Sequence, residues 1–448
     1  MALPGDLARV LREELPKCIA TIIDADGVYE VAGLLEYKDR LYFKHSGTHS
    51  KWYSYPPLRV EFPSSVAGMC WGKTIYKDVA FWAGFGPNSK GIICWNDHGI
   101  WGEVQPAPAY EPWEFYSLCG FGDYLYAGGM GRAGGVAGKE RAYVYRSPDG
   151  KTGWEKVAEW DISPDITTPY LATLGGKLYA FIGEDPGWYT TLAKKCYSTT
   201  DGVTWTEVTL PPKLAVPGDV QPIFDPLRNA WILLIGTANG RLYAYDGTNF
   251  WLMREFPGQT VMRICTNFGF QSPEAYIVVA RRAISGEVWK LDLRKPSLTR
   301  VFRPYKGVPI DLLGFEGSLL VAVGWESVPG APLNYGYRGH VYRLFTPVED
   351  YPPFGQYLWK GESISAGAVS DSVLVAGYSK KSLYFLSDTA GTLTISVDPL
   401  GDGNFQTYDS VGISANVLKP YPFTADFAYL RISFDAAAKV TAWLVASR

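Results

Sequence analysis

Cys196-Tyr197-Ser198-Thr199-Thr200-Asp201-Gly202-Val203-Thr204-Trp205 is the stretch whose reading decides the fold. It reads as a strand, an Asp-Gly turn and a tryptophan that opens the next strand. Gly accepts a positive φ and Asp bonds to amide groups ahead of it, so this dipeptide between two strand-like runs marks a hairpin. The tryptophan is large enough to pack between neighbouring sheets. The phrase recurs at Tyr145-Arg146-Ser147-Pro148-Asp149-Gly150-Lys151-Thr152-Gly153-Trp154. Weaker copies stand at Trp95-Asn96-Asp97-His98-Gly99-Ile100-Trp101 and Tyr245-Asp246-Gly247-Thr248-Asn249-Phe250-Trp251. The aspartates are spaced 149 − 97 = 52, 201 − 149 = 52 and 246 − 201 = 45 residues apart. A regular repeat of roughly this length predicts a propeller or an array.

Outward from these turns, seven segments share one grammar: an apolar strand, a turn, a second apolar strand, a loop, then an aromatic-rich strand. The first two strands of each fall at 34–36 with 41–43, 69–71 with 79–82, 116–119 with 124–127, and 170–174 with 178–182. The other three are 222–224 with 230–235, 263–266 with 275–279, and 312–315 with 319–323. Lys38-Asp39, Gly122-Asp123 and Gly175-Gly176 are turn residues between them. The expected fold is all-β: a seven-bladed β-propeller over 18–346, with 18–23 as a strand that closes the ring, and six or eight blades as the alternatives. Residues 1–17 form an arm with a short helix, striped by Leu7, Val10, Leu11 and Leu15, capped by Asp6 and ended by Pro16. Pro347, Pro352 and Pro353 mark 347–357 as a linker. Beyond it Thr392, Thr394 and Ser396 alternate with Leu393, Ile395 and Val397, so 358–448 is expected to be a small, jelly-roll-like β-sandwich.

Composition bounds the function. The chain has 448 residues, 47% of them hydrophobic, and a net charge of −3, which argues against a nucleic-acid-binding surface over the whole protein. No apolar run is long enough to span a membrane, and the start has no apolar signal segment. The six cysteines show no CxxC pairing and mostly sit in apolar strand runs, so buried free thiols are expected.

If the Asp-Gly turns join third and fourth strands, they share a face with the first hairpin turns. The loops after the second strands then lie on the other face, at 85–90, 128–139, 184–192 and 324–338. Long loops on a rigid scaffold are where binding resides. Trp188, Tyr189, Trp325, Tyr335 and Tyr337 are candidates for stacking on sugars or anchoring a protein, or else they fold back on the rim. Arg132 and Arg338 are candidates for holding a carboxylate. Glu184, Asp185 and Glu326 are the acids of a hydrolase alternative. His45 and His49 flank a turn glycine and are expected as loop residues rather than zinc ligands. Asp398, Asp402 and Asn404 are expected to form a hairpin turn rather than a calcium loop. The run 128–135 is expected as a flexible surface loop, because no helix or Lys-Ser/Thr pair follows it. No cofactor or metal is expected.

At Asp149 and Asp201 the phrase resembles the Asp box of sialidase-like propellers, roughly Ser/Thr-x-Asp-x-Gly-x-Thr-Trp. The Asp201 copy is one residue shorter, and the Asp149 copy has Gly153 between Thr152 and Trp154. The resemblance implies a folding element remote from any active site, with Asp97, Asp149, Asp201, Asp246, Trp154 and Trp205 in structural roles. The Arg-Ile-Pro signature of sialidases is missing. The tail stretches 383–394, Val397-Asp398, 401–404 and 436–443 resemble sandwich domains on structural proteins of tailed viruses. That resemblance implies a non-enzymatic virion surface protein, homo-oligomeric in its assembly. Its sandwich would dock on other structural proteins and its propeller would be displayed to glycans or proteins. An Asp-box glycoside hydrolase and an intracellular scaffold are the alternatives.

Overall fold

The computed structural model describes residues 17–22, 30–46, 51–56, 58–63, 72–86, 90–108, 111–162, 167–184, 195–211, 214, 217–266, 273–281, 285–304, 307–315, 318–327, 337–344 and 353–447. Among them, every regular element except one 3-10 turn at Ala133–Gly135 is a β-strand. The strands form seven four-stranded sheets, followed by two sheets built wholly from the last hundred residues. The seven, here called blades 1 to 7, span 30–63, 72–104, 114–161, 167–207, 217–255, 260–302 and 308–344. In the first six the strands lie in chain order from the inside outward, and in all seven they pair antiparallel. The inner strand of every blade touches the inner strand of the next, and that of blade 7 touches that of blade 1, so the sheets close into a β-propeller.

Closure uses the chain's beginning. Blade 7 supplies three strands, and Lys17–Ile22 adds the fourth, with Cys18 opposite Tyr342 and Ile22 opposite Gly339. The N-terminal helix expected at 1–17 lies outside the described residues, apart from Lys17, which is in this strand.

The sequence dictates this packing because middle strands are covered on both faces. Ala230–Thr237 is buried at six successive positions, as an unbroken apolar run demands of a strand between two sheets. The four Asp-Gly-type turns each join the third and fourth strands of a blade. They share a face with the first hairpin turns: Lys77 Nζ, in such a turn of blade 2, donates to Asp123 O at 3.2 Å and Pro148 O at 2.9 Å in the two turns of blade 3. Trp154 packs into a cluster shared by blades 2 and 3, and Trp205 into one shared by blades 3 and 4.

Three local expectations are corrected. The described inner strand of blade 2 is Gly72–Tyr76, and the expected 69–71 lie outside the described residues. Lys73 and Thr74 break the apolar run there, so an apolar pattern does not mark this strand. Secondly, Gly128, Gly129 and Gly131 are not a surface loop: they belong to the strand Tyr124–Arg132. A Cβ on Gly128 would come within 2.2 Å of Pro169 O, so the glycine lets blade 4 approach closely. Thirdly, a strand begins at Phe354, inside the stretch read as linker.

The last two sheets have strand orders 354–364, 438–447, 380–387, 419–423 and 368–369, 429–434, 391–398, 406–413, with 373–374 also paired to 429–434. They face each other across Leu383, Phe385, Leu393, Ile395, Ile432 and Leu444. A second core joins them to the propeller: Leu374, Ala428 and Tyr429 pack with Met253, Trp289 and Leu298 of blades 5 and 6. Arg254 of blade 5 reaches across this seam, its guanidinium 3.6 Å from the centre of the Phe354 ring and its Nη2 donating to Tyr378 Oη at 3.3 Å. The Asp398 carboxylate accepts the Gly401 and Gly403 amides at 2.7 and 2.8 Å, which is turn chemistry. That turn abuts Pro296 and Arg228 on the turn face of blades 5 and 6.

Candidate active site at the channel mouth

All seven inner strands line a central channel of about 650 Å³. Much of its wall is apolar, from residues such as Leu35, Ile75, Leu118 and Leu171. Near the starts of the inner strands it becomes charged. Blades 3, 5, 6 and 7 each carry a register shift there, ending at Ser117, Asp219, Arg263 and Asp311. A bulge re-aims the side chain that follows it.

Three of these four side chains reach the neighbouring blade at an equivalent place. Ser117 Oγ accepts the Leu171 amide at 3.1 Å and donates to Pro169 O at 2.7 Å. Asp219 Oδ2 accepts the Ile264 amide at 2.8 Å, and Asp311 Oδ2 accepts the Leu34 amide at 2.9 Å. The receiving residue is the fifth of its inner strand each time. The inner strands therefore run in one direction along the channel, and these polar groups gather at one end. The first hairpin turns, and with them the seat of the C-terminal sheets, belong to the other end.

The two carboxyl groups differ in surroundings. Asp311 is 3% exposed and is clasped by Lys73 of blade 2, whose Nζ lies 2.7 and 2.6 Å from its two oxygens. Its Oδ1 also accepts the Leu312 amide at 2.9 Å. Asp219 is likewise 3% exposed, and among the described residues no lysine ammonium is paired with it. Its Oδ1 accepts the Val220 amide at 2.8 Å and Gln221 Nε2 at 3.1 Å. Burial pushes the Asp219 pKa up, and this outweighs the opposing pull of Arg263 and of the hydrogen bonds. The mouth thus holds one carboxyl that keeps its proton to a higher pH than usual and one that is ion-paired.

The candidates expected on the loops are not brought together here. Trp188, Tyr189, Tyr335 and Asp185 lie outside the described residues. Trp325, Tyr337 and Arg338 are not loop residues: they lie in the paired strands Ser318–Ser327 and Tyr337–Leu344. The ladder resumes after an irregularity at 323–326, with Glu326 opposite Arg338 and Ser327 opposite Tyr337. Glu184 ends the strand Lys177–Glu184. Arg132 is folded onto blade 3, with Nε 3.0 Å from Glu140 Oε1 and its guanidinium 4.7 Å from the Trp113 ring centre. Asp219 and Asp311 are the residues the sequence reading passed over. Both follow a proline by two positions (Pro217-Gly218-Asp219 and Pro309-Ile310-Asp311), and 311 − 219 = 92 places them two repeats apart.

No protein-family model matches the chain, and no curated protein matches it. Solved structures similar in fold include an α-L-arabinanase of Penicillium chrysogenum complexed with arabinobiose: 11% identity, TM-score 0.42, covering 63% of this chain and 99% of the arabinanase. Another is YCF48 from Cyanidioschyzon merolae, at 9% identity and TM-score 0.44, covering 72% and 98%. A third is Trypanosoma rangeli sialidase in complex with the inhibitor DANA, at 11% and 0.42, covering 94% and 92%. Two of these three are glycoside-cleaving enzymes by name, and none is a virus-particle protein. The expectation of a virion surface part is corrected, since none of these neighbours bears such a name; at these identities and TM-scores the likeness speaks for the β-propeller fold alone.

Proposed function

We propose that the protein is a propeller that acts on carbohydrate as a glycoside hydrolase, with Asp219 and Asp311 at the channel mouth as its reacting groups. The unlike environments of the two carboxyls support this reading. Breaking a glycosidic bond needs a proton for the leaving oxygen and a negative charge facing the cationic sugar that develops. Asp219 suits the first task because burial raises its pKa above the ordinary carboxylate value. Asp311 suits the second because its carboxylate is held in place by the Lys73 ammonium, 2.6 Å away, and by backbone amides. Backbone amides orient both carboxyls, so neither has to be reorganised as the reaction proceeds. Under this reading the C-terminal sandwich is an accessory unit on blades 5 and 6, at the end of the channel away from the mouth.

The test is a panel of fluorogenic arabinosides, galactosides and sialosides. The wild type should release fluorophore from at least one. Asp219→Asn and Asp311→Asn keep a carbonyl oxygen for the inter-blade bonds, so both should stay folded. Each should lower kcat by about 10²–10⁴-fold, with KM changed far less. Absence of turnover across the panel, or full activity in both variants, would refute the reading.

A further inference from the structure

One sandwich sheet carries an outward row that the channel does not use. Tyr357 stands opposite Trp443, and Trp443 opposite Tyr384, on three adjacent strands. The ring centres are 5.9 and 6.2 Å apart, and the first pair lies within 18° of parallel. Tyr357 is 42% exposed and Trp443 41%. Gly355 leaves the space the indole occupies, since a Cβ there would come within 2.6 Å of Trp443 Nε1. Among the described residues, the seam with the propeller uses none of this row.

Two lysines flank the row, and the Glu362 carboxylate lies near one of them, its Oε1 3.4 Å from the Lys360 amide nitrogen. Lys360 Nζ lies 5.2 Å from the centre of the Tyr357 ring. Lys380 begins the strand that carries Tyr384 and shares its face, four residues away. The flanking rows hold Val445 and Ser382 on one side and Thr441 and Leu386 on the other, with no carboxylate between. Glu362 and Asp388 stand at one end, beyond Lys360 and Leu386. A file of half-open aromatic rings suits a chain of sugar rings, whose C–H faces are flat and whose edges are polar. The lysines add complementarity to carboxylates.

We infer that this row is a docking strip for an acidic polysaccharide: Tyr357, Trp443 and Tyr384 stack on successive sugar rings, and Lys360 and Lys380 pair with uronate carboxylates. The inference does not depend on the channel reading. Affinity electrophoresis of the full chain through gels containing polygalacturonate, or a neutral galactan, tests it. The wild type and Trp443→Phe should be retarded by polygalacturonate alone. Trp443→Ala, with an unchanged melting temperature, should bind at least about tenfold more weakly. Lys360→Glu with Lys380→Glu should also weaken retardation, whereas Asp219→Asn should not, so failure of the channel reading is seen separately. Equal retardation by the neutral polymer, none by polygalacturonate, or no effect of Trp443→Ala would overturn it. So would a dimer in sedimentation that Trp443→Ala dissolves, since the face would then be an interface between copies.

Discussion

Asp149 organises a whole turn with one carboxylate. Its Oδ1 accepts the Lys151 and Thr152 amides at 2.8 and 2.7 Å, and its Oδ2 accepts the Thr152 hydroxyl at 2.8 Å. Burial alone would raise its pKa, but these bonds, with that from the Ser147 hydroxyl, together bring it down to about 2. Asp201 is lowered for the same reason, first by the Val203 and Thr204 amides. A depressed carboxylate stabilises the fold fully above its unfolded pKa near 4 and loses that contribution as pH falls through the folded value. Acid melts from pH 5 to pH 2 should therefore show a steeper loss of stability in wild type than in Asp149→Asn, the two curves converging near pH 2. Parallel curves would contradict this. Such turns were legible in the sequence because their chemistry spans six residues, 147–152. Gly128 was not, because the atom that requires a glycine there, Pro169 O, belongs to the next blade. Gly128→Ala should overpack that contact and destabilise by about 1–3 kcal/mol, measured by chemical denaturation. A neutral change would mean the blades are not so closely apposed.

Elements were legible where burial leaves an apolar run, as at Ala230–Thr237, and illegible where polar residues break it, as Lys73 and Thr74 do in Gly72–Tyr76. The stretch 358–448, expected as a small β-sandwich after a linker, has a core in common with blades 5 and 6, through Leu374, Ala428 and Tyr429. That surface cannot be read locally, since each contributing strand alternates like any other. Tyr429 is 2% exposed, so Tyr429→Ala should destabilise by about 3–5 kcal/mol and lower the melting temperature of the propeller with that of the sandwich. Two separate transitions, only one of them shifted, would show that the seam carries no energy. The closing strand Lys17–Ile22 offers a matching test. Its deletion leaves the strand Tyr337–Leu344 unpaired on its outer edge. The truncated chain should melt lower and self-associate through the bared edge. An unchanged melting temperature would argue that closure does not depend on that strand.

At the scale of the whole molecule, ring closure turns isolated polar residues into a site. Asp219 and Asp311 sit 92 residues apart (311 − 219) in otherwise apolar surroundings, and only the circular arrangement brings them to one channel mouth. The sequence reading looked for chemistry on the long loops, where function commonly resides, and so passed over acids embedded in inner strands. Their signal, Pro-x-Asp at matching places two repeats apart, becomes readable once the inner strands are aligned. The raised pKa of Asp219 gives the channel reading a pH signature. An acid that must be protonated supports turnover below its pKa, so activity should persist through the ordinary carboxylate range and fall as pH rises above the elevated value. The most direct measurement is the kcat profile against pH for the best glycoside of the panel, in wild type and in Asp219→Asn. The account predicts a basic limb in the wild type, set by Asp219, and a variant that has lost both that limb and most of the rate. A wild-type limb that persists unchanged in a fully active Asp219→Asn would contradict it.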